Sequence, residues 1–434
     1  MTAALPADPL PRDTMPGCAL PGTPLADALP GINACVHCGF CLQACPTYLN
    51  LEDENDSPRG RIFLMRSLLE GTVKPDDPSV QQHIDQCLGC RACEPVCPSG
   101  VPYGQLLEAT RATLRESRPT PFIARVILFV FARGWLLRPA MFFSRFLAAT
   151  PIPSLLSGVK GRLGFAMAML ASTGRSIERS PYTAVSRGER GRVAMLRGCV
   201  MDGLFSATNR ATARVLRVNG YGTVDAPGQQ CCGALHAHAG DLENARTLAR
   251  RNIAAFEKSG AEFVAVNAAG CGATMKEYGH LLKDDTDWHE RASAFGSRVR
   301  DVSELLAAAG PRAGGALPIR ITYDAPCHLQ HAQRVTQAPL SVLAAIPGLE
   351  LVPLHDSDQC CGSAGIYNLI EPATSDAVLA PKLANIRATG APWVATGNPG
   401  CLMQIGAGLI RAEIPARSIH PVDLLDASYA AFGQ

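Results

Sequence analysis

Cys35-Val36-His37-Cys38-Gly39-Phe40-Cys41-Leu42-Gln43-Ala44-Cys45-Pro46 is matched in spacing by Cys87-Leu88-Gly89-Cys90-Arg91-Ala92-Cys93-Glu94-Pro95-Val96-Cys97-Pro98. In each copy three cysteines stand three residues apart, and a fourth follows with proline behind it. Three thiolates at that spacing can wrap one [4Fe–4S] cubane within a single tight turn of chain. The fourth points away and, in two-cluster proteins, ligates the other cluster. The expected ligand sets are therefore Cys35, Cys38, Cys41 and Cys97 for one cluster and Cys87, Cys90, Cys93 and Cys45 for the second. Each proline fixes φ and turns the chain aside. Gly39 and Gly89 let backbone N–H groups approach the sulfurs, which tunes the potential. A pair of cubanes would make the chain a carrier of single electrons.

The alternative for such cysteines is zinc, which usually takes two Cys-x2-Cys pairs separated by a longer loop. Here a third cysteine follows at once, then a fourth with proline, and the whole unit recurs. Disulfides fit less well still, because no secretory signal precedes the cysteines and 434 residues are too many for a disulfide scaffold. Seventeen cysteines without a leader imply a reducing compartment and metal ligation.

The length suggests two to four domains, and a hydrophobic content of 47% is enough for real cores. Charged residues make up 18%, below the ~25% of typical soluble domains. That fits a subunit partly covered by partners. The net charge of +2 gives no electrostatic case for nucleic acid. Among motifs, G-x-G-x-x-G after a strand, a P-loop, a Ser–His–Asp set and a zinc-protease helix are all missing. A flavin or nicotinamide site and a substrate base are thus expected on other chains.

Five regions follow. Residues 1–30 hold seven prolines and few charges and read as a disordered or loosely docked arm, with Cys18 as an incidental thiol. Residues 31–118 form the cluster module. There Ser57-Pro58-Arg59-Gly60-Arg61 opens a helix through Ile62-Phe63-Leu64-Met65, Leu68 and Leu69, a second helix leads into Cys87, and a third runs from Gly104 to Ser117. Helices between the motifs indicate a helical ferredoxin. Residues 119–190 are apolar, with Arg125, Arg133, Arg138 and Arg145 interrupting them. The longest uncharged run, Val126 to Ala132, is far short of the ~20 residues of a membrane span, and Gly134 and Pro139 break the helical pattern. Arg118, Arg125 and Arg133 fall within roughly 80° on a helical wheel. The favoured reading is a helix buried against its own domain or a partner. The other is contact with a membrane surface.

Residues 191–316 and 317–434 are two copies of one unit. Cys199, Cys231-Cys232-Gly233 and Cys271 are matched by Cys327, Cys360-Cys361-Gly362 and Cys401 at an offset of 128 to 130 residues. Short buried strands at Val193–Leu196 and Ile319–Tyr323 each end just before the first cysteine. Helices Thr208–Val218 and Gln330–Ala345 follow, with Gly220 and Gly348 as C-caps. A second strand leads to each Cys-Cys-Gly, a long helix ends near Gly260 or Gly390, and third strands Phe263–Val266 and Trp393–Thr396 precede the last cysteines. Alternating strands and helices imply parallel sheets, whose ligands sit beyond the carboxyl ends of the strands. The fold class is thus α+β and multidomain: an α-helical two-cluster module, then a duplicated α/β domain. Cys199, Cys231, Cys232 and Cys271, and likewise Cys327, Cys360, Cys361 and Cys401, could converge on further metal sites, holding zinc or another Fe–S cluster.

Taken together, Cys35 to Cys41, the Ser-Pro-Arg-Gly-Arg stretch and the two Cys-Cys-Gly halves closely resemble the iron–sulfur subunit of glycolate oxidase, over nearly all the chain after residue 30. Ser206–Leu216, Gly270–Gly279 and Leu329–Gln333 carry the resemblance as well. It implies a complex on the cytoplasmic face of the inner membrane that oxidises glycolate to glyoxylate. FAD-containing dehydrogenase subunits would take the hydride equivalent, and this chain would pass electrons to quinone or another membrane acceptor. Related subunits serve D-lactate and glycerol-3-phosphate systems. The halves also resemble the repeated domain of heterodisulfide reductases, which would make the chain itself a catalyst. That fuller motif ends in Cys-x-x-Cys, whereas Thr274 and Gln404 stand at the last position here. His37, His328 and His331 are expected as neighbours of ligands rather than ligands. Arg59, Arg61 and Arg91 are expected either to raise cluster potentials or simply to solvate a face.

Overall fold

Proline sets the starts of the N-terminal helices in the computed structural model, which describes residues 17–432 except 119, 175, 176, 178–181 and 187. Helices Pro46–Leu51, Pro58–Glu70 and Pro78–Asp85 all carry proline in the first turn, where a missing N–H costs nothing. Ser57 Oγ accepts from the Gly60 N–H (3.0 Å) and Asp77 from the Ser79 N–H (2.8 Å), so two of the three are side-chain capped. The chain divides into two units, residues up to Thr120 with His238–Gly240, and Pro121–Ala237 with Asp241 to the end.

The first unit is helical, with no strand among its described residues. Ile62, Met65, Leu68 and Leu69 bury one face of the Pro58–Glu70 helix against Val80, Ile84, Leu106 and Leu107. The helix into Cys87 ends at Asp85, and the third spans Tyr103–Arg115. Within the expected loose arm, residues 1–16 lie outside the described residues. The rest of it is not loose. Pro24–Asp27 and Leu29–Asn33 are helical, and Leu25, Leu29 and Ile32 are buried in the same core. Three large apolar side chains at this spacing have enough area to dock a segment that its prolines would otherwise keep extended.

The second unit holds two four-stranded, wholly parallel sheets. The first comprises β1 (Arg192–Met195), β2 (Gly222–Val224), β3 (Phe263–Val266) and β4 (Val299–Asp301), in order β2-β1-β3-β4. The second comprises β5 (Arg320–Tyr323), β6 (Glu350–Val352), β7 (Trp393–Ala395) and β8 (Arg417–Ile419), in order β6-β5-β7-β8. Val193, Val215, Ile321, Val342, Ile419 and Tyr429 belong to one core shared by both copies. The last strands β4 and β8 were not in the sequence reading, because three residues with arginine among them make no periodic signal. The expected helix from Gln330 to Ala345 is instead a π turn at His328–Ala332 and a helix at Gln337–Ala344. Between them Arg334 is left-handed (φ 59°), which interrupts the helical ladder.

The apolar segment before β1 also departs from expectation. It forms helices Phe122–Phe131 and Gly134–Ala148; the chain breaks at Gly134, the first residue of the second, as expected, whereas Pro139 lies inside that helix. These helices bury only Ala124, Leu128 and Leu137, so they are not sequestered in their own domain. The Arg118–Arg125–Arg133 face is not continuous either, since only Arg125 lies on the Phe122–Phe131 helix.

Asp301 closes β4 and His420 follows β8, each just ahead of a helix, and both are fully buried. Asp301 accepts from the Ser303 N–H (2.8 Å) and Oγ (2.5 Å). His420 Nδ1 accepts from the Val422 N–H (3.1 Å), so Nε2 carries the proton donated to Asn267 O (3.0 Å). A second ring proton would cost the Val422 bond. Burial pushes the Asp301 carboxyl up to about 6 from 3.8 and holds the His420 imidazole down at about 4 from 6.5. Between pH 4 and 6 the unfolded chain binds more protons at His420, so that group's contribution grows with pH. At Asp301 the folded chain binds more, so its contribution falls. Asp301→Asn should therefore make stability rise with pH relative to wild type, by about 1.4 kcal/mol per pH unit, and His420→Gln should make it fall by the same slope. Urea midpoints at pH 4.5, 5.2 and 6.0 check this. Parallel curves for all three proteins would contradict it.

Candidate metal centres

The two N-terminal cysteine loops share one backbone device. His37 (φ 52°) and Gly39 (φ 86°) in the first, and Gly89 (φ 63°) and Arg91 (φ 63°) in the second, are left-handed at equivalent positions. Two non-glycine residues in that region mark a loop held by its surroundings. The winding turns backbone donors toward sulfur, as where the Gly89 N–H meets Cys87 Sγ (3.4 Å).

Cys35, Cys38, Cys41 and Cys97 line one cavity of about 410 Å³, partly open to solvent, together with Phe40, Arg59 and Ile62. Cys45, Cys87, Cys90 and Cys93 line another of about 290 Å³, with Thr47, Arg61 and Leu88. Pro58, Cys93 and Tyr103 border both. The fourth cysteine of each motif thus sits with the other motif's first three. Burial pushes the Cys41 thiol up to about 11 and raises Cys45 and, further, Cys93. Loading a cation there would displace protons. The expected four thiols line each cavity, Cys93 adding a fifth to the first; with backbone donors and, beside the second, a buried cation, they make a donor set and surroundings that fit a cubane.

That cation is Arg61, which is fully buried. Its guanidinium donates to Asp56 O (2.5 Å), Asp56 Oδ1 (3.0 Å), Thr47 Oγ1 (3.0 Å) and His83 O (2.6 Å). It solvates no face, contrary to one sequence expectation. Arg59 and Arg91 are instead paired, with Glu54 (2.6 Å) and Glu94 (2.9 Å). Gly60 explains the rest of its motif: a Cβ there would stand 2.0 Å from Glu54 O. Tyr103, unremarked in the sequence reading, is buried and donates to Cys87 Sγ (3.5 Å). Burial raises its hydroxyl well above 10, so it remains a donor. His37 is exposed and borders the first cavity.

In the second unit every singled-out cysteine follows the carboxyl end of a strand. Cys199 and Cys271 come after the adjacent strands β1 and β3, where the strand order reverses, and Cys327 and Cys401 after β5 and β7. Cys231-Cys232 and Cys360-Cys361 follow β2 and β6. The glycine after each pair is required. Gly233 (φ 86°) and Gly362 (φ 83°) are left-handed, and added Cβ atoms would lie 3.3 Å from Ala245 Cα and 2.6 Å from Ser375 O. The long helix of each copy packs directly on the turn.

The first copy links its sulfurs in series, Cys199–Cys231–Cys232–Cys271. Contact with Cys199 and Cys232 lowers the Cys231 thiol, while Cys199 and Cys232 are raised. In the second copy Cys361 contacts Cys360 and Cys401. Cys327 Sγ lies 3.5 Å from His328 Nδ1, at the head of the π turn. His331 is buried, with Nε2 3.0 Å from Asp358 O. The two positions that lack a thiolate are committed elsewhere. Thr274 Oγ1 donates to Gly270 O (3.2 Å), and Gln404 bonds Ser375 (2.9 Å) and Asn368 (2.8 Å).

The copies differ in charge. Beside Cys361 and Cys401, Lys382 and Asp324 form a buried ion pair (2.6 Å), completed by Thr396 Oγ1 to Asp324 (2.9 Å). At the matching place in the first copy, neutral Asn252 bonds Cys231 O (2.9 Å) and Tyr278 (3.2 Å). Asn398 joins the two copies: its Oδ1 accepts from the Gly270 N–H (3.2 Å) and its Nδ2 donates to Cys401 Sγ (3.4 Å).

Comparisons with known proteins agree with this layout. A family described as "4Fe-4S dicluster domain" matches residues 31–101, and one described as "Cysteine-rich domain" matches residues 193–276 and 321–406. The chain is 39% identical to the probable glycolate oxidase iron-sulfur subunit of Bacillus subtilis (strain 168), over 90% of this chain and 92% of that protein. It is 38% identical to the glycolate oxidase iron-sulfur subunit of Escherichia coli (strain K12), over 85% and 88%. Lactate utilization protein A of Shouchella clausii is 30% identical over 50% of this chain and 92% of its own length. With paired cysteine quartets at one end, a duplicated Cys-Cys-Gly domain at the other and identity sustained over nine-tenths of its length, the chain belongs to the family of glycolate oxidase iron–sulfur subunits.

Proposed function

We propose that the chain is the electron-transfer subunit of a flavin-dependent 2-hydroxy-acid dehydrogenase, with glycolate as substrate and glyoxylate as product. Membership of an oxidoreductase family supports the general role. The observation that carries the specific one is the pair of cysteine quartets in cavities with a common border at Pro58, Cys93 and Tyr103. Two [4Fe–4S] clusters, when bound, supply one-electron carriage between a flavin on a partner subunit and a membrane acceptor such as quinone. The chain's own residues set the conditions. Arg61 places fixed positive charge behind Cys45 and Cys87, which favours added negative charge. Tyr103 and the Gly89 N–H donate to Cys87 sulfur, with the same sense. Pro58 and Ile62 keep the inner walls dry. The Cys-Cys-Gly sites are proposed as further metal sites, and the placement of each copy's four cysteines beyond the carboxyl ends of neighbouring strands supports that reading. None of the seventeen cysteines is in a disulfide, which fits work in a reducing cytoplasm.

The test is anaerobic co-purification with the partner subunits, followed by addition of glycolate or D-lactate. Glycolate should bleach the flavin and raise the EPR signal of reduced cubanes together. Flavin reduction with the iron–sulfur signal unchanged would remove the chain from the electron path. Faster reduction by D-lactate would reassign the substrate.

A further inference from the structure

The helices Phe122–Phe131 and Gly134–Ala148 expose what soluble domains hide. Phe122, Val126 and Phe129 form one stripe at helical spacing, and Trp135, Phe142 and Phe146 form another, with Phe143 beside Phe142. Phe122 is 76% exposed and Trp135 72%. Contiguous aromatic surface of this kind marks an interaction site.

The charges say what kind. No Asp or Glu occurs between Glu116 and Glu178, while eight Arg and Lys do. Arg138, Arg145, Lys160 and Arg162 are exposed, and none forms an ion pair among the described residues. Arg133 lies over the Phe129 ring, 3.7 Å from its centroid. Arg145 and Arg162 donate only to neutral oxygens, of Ser206 and Ile370. Aromatic side chains in a basic stretch with no acid complement the acyl–headgroup boundary of an anionic bilayer. Protein interfaces are likewise rich in aromatics and Arg; what favours an anionic surface is that the whole stretch between Glu116 and Glu178 carries no acid.

Geometry sets the depth. Neither helix is long and apolar enough to cross a bilayer, and the two meet at 107°. A bent pair of ten and fifteen residues can wedge into one leaflet and return. We infer that this aromatic hairpin is a monotopic membrane anchor, with Phe122, Phe129, Trp135, Phe142, Phe143 and Phe146 in the interface and the surrounding arginines on anionic phospholipid headgroups. This deepens the proposed delivery of electrons to a membrane acceptor, yet does not depend on which substrate is oxidised.

The full chain, purified anaerobically with its metal, would be mixed with phosphatidylcholine vesicles with and without about 30% phosphatidylglycerol. Co-sedimentation with the anionic vesicles is expected, falling roughly tenfold with Phe142→Ser/Phe146→Ser and with Arg138→Gln/Arg145→Gln. Brominated acyl chains should quench tryptophan emission, and Trp135→Phe should remove most of that quenching. An unchanged iron–sulfur EPR signal in each variant shows the fold intact and keeps this result separate from the electron-transfer test. Failure of the wild type to bind, or equal binding by the variants, would overturn the inference. So would variants that lose the flavin partner while still binding vesicles, which would give the face to a protein.

Discussion

Arg61→Met is expected to destabilise the N-terminal unit by about 3–5 kcal/mol, because it strands Asp56 as a buried carboxylate without its cation. Asp56 is 3% exposed and Arg61 has no exposure at all, so water cannot take over the lost bonds. The same guanidinium ties Thr47, Asp56 and the His83 carbonyl together beneath the second cysteine cavity. Its loss should therefore also lower iron content and move the potential of that centre to a more negative value, since a fixed positive charge no longer favours the reduced form. Arg61→Lys keeps the charge but not the fork and should recover part of the stability. The double variant Arg61→Met/Asp56→Leu removes both ions and should be more stable than Arg61→Met alone. Chemical denaturation followed by circular dichroism, with iron analysis alongside, measures all three. A loss below about 1 kcal/mol for Arg61→Met would mean that the pair contributes no more than a surface bridge.

Removal of a single fourth cysteine should extinguish the centre of the other motif. Cys97 follows the second motif but shares a cavity with Cys35, Cys38 and Cys41, whereas Cys45 follows the first and sits with Cys87, Cys90 and Cys93. Cys97→Ala should thus leave the same residual EPR spectrum as Cys41→Ala, and Cys45→Ala the same as Cys90→Ala. Each should retain about four of the eight irons of the N-terminal module. If Cys97→Ala instead matched Cys90→Ala, ligation would run within each motif and the cavities would not be the binding units. Cys45 should have the larger structural effect of the two. It is buried and bonds Thr47 (3.2 Å), which in turn accepts from Arg61.

Much of the layout was legible before any coordinates. The Cys-x2-Cys-x2-Cys-x3-Cys-Pro spacing is a local property, set by how much chain one cubane can gather, and its cysteines line two cavities with Cys93 bordering both. The near-constant offset between the Cys-Cys-Gly halves announced a duplication, and the two sheets with matching strand order are its expression. Gly220, Gly260 and Gly390 could be read as helix ends because a left-handed C-cap is chosen by the residue itself, whereas Gly348 stands in a turn beyond a helix that already ends at Ala344.

Other features could not be read that way. Whether Arg61 or Lys382 is solvated or buried depends on what arrives from elsewhere in the chain, Asp56 and His83 for one and Asp324 for the other. Leu25, Leu29 and Ile32 needed a groove between helices to become core rather than tail. β4 and β8 are strands because β3 and β7 present open edges to them, not because three residues insist on being extended. The aromatic helices after Pro121 show the converse. Their apolar content was plain in the sequence, but only the packed structure shows that these helices bury no more than Ala124, Leu128 and Leu137 among the described residues. Sequence by itself determined the cysteine spacing, the repeat and the helix ends, since these are properties of neighbouring residues. Tertiary structure alone decided which charges are buried and which apolar faces are left to solvent, since burial is a relation between distant parts of the chain.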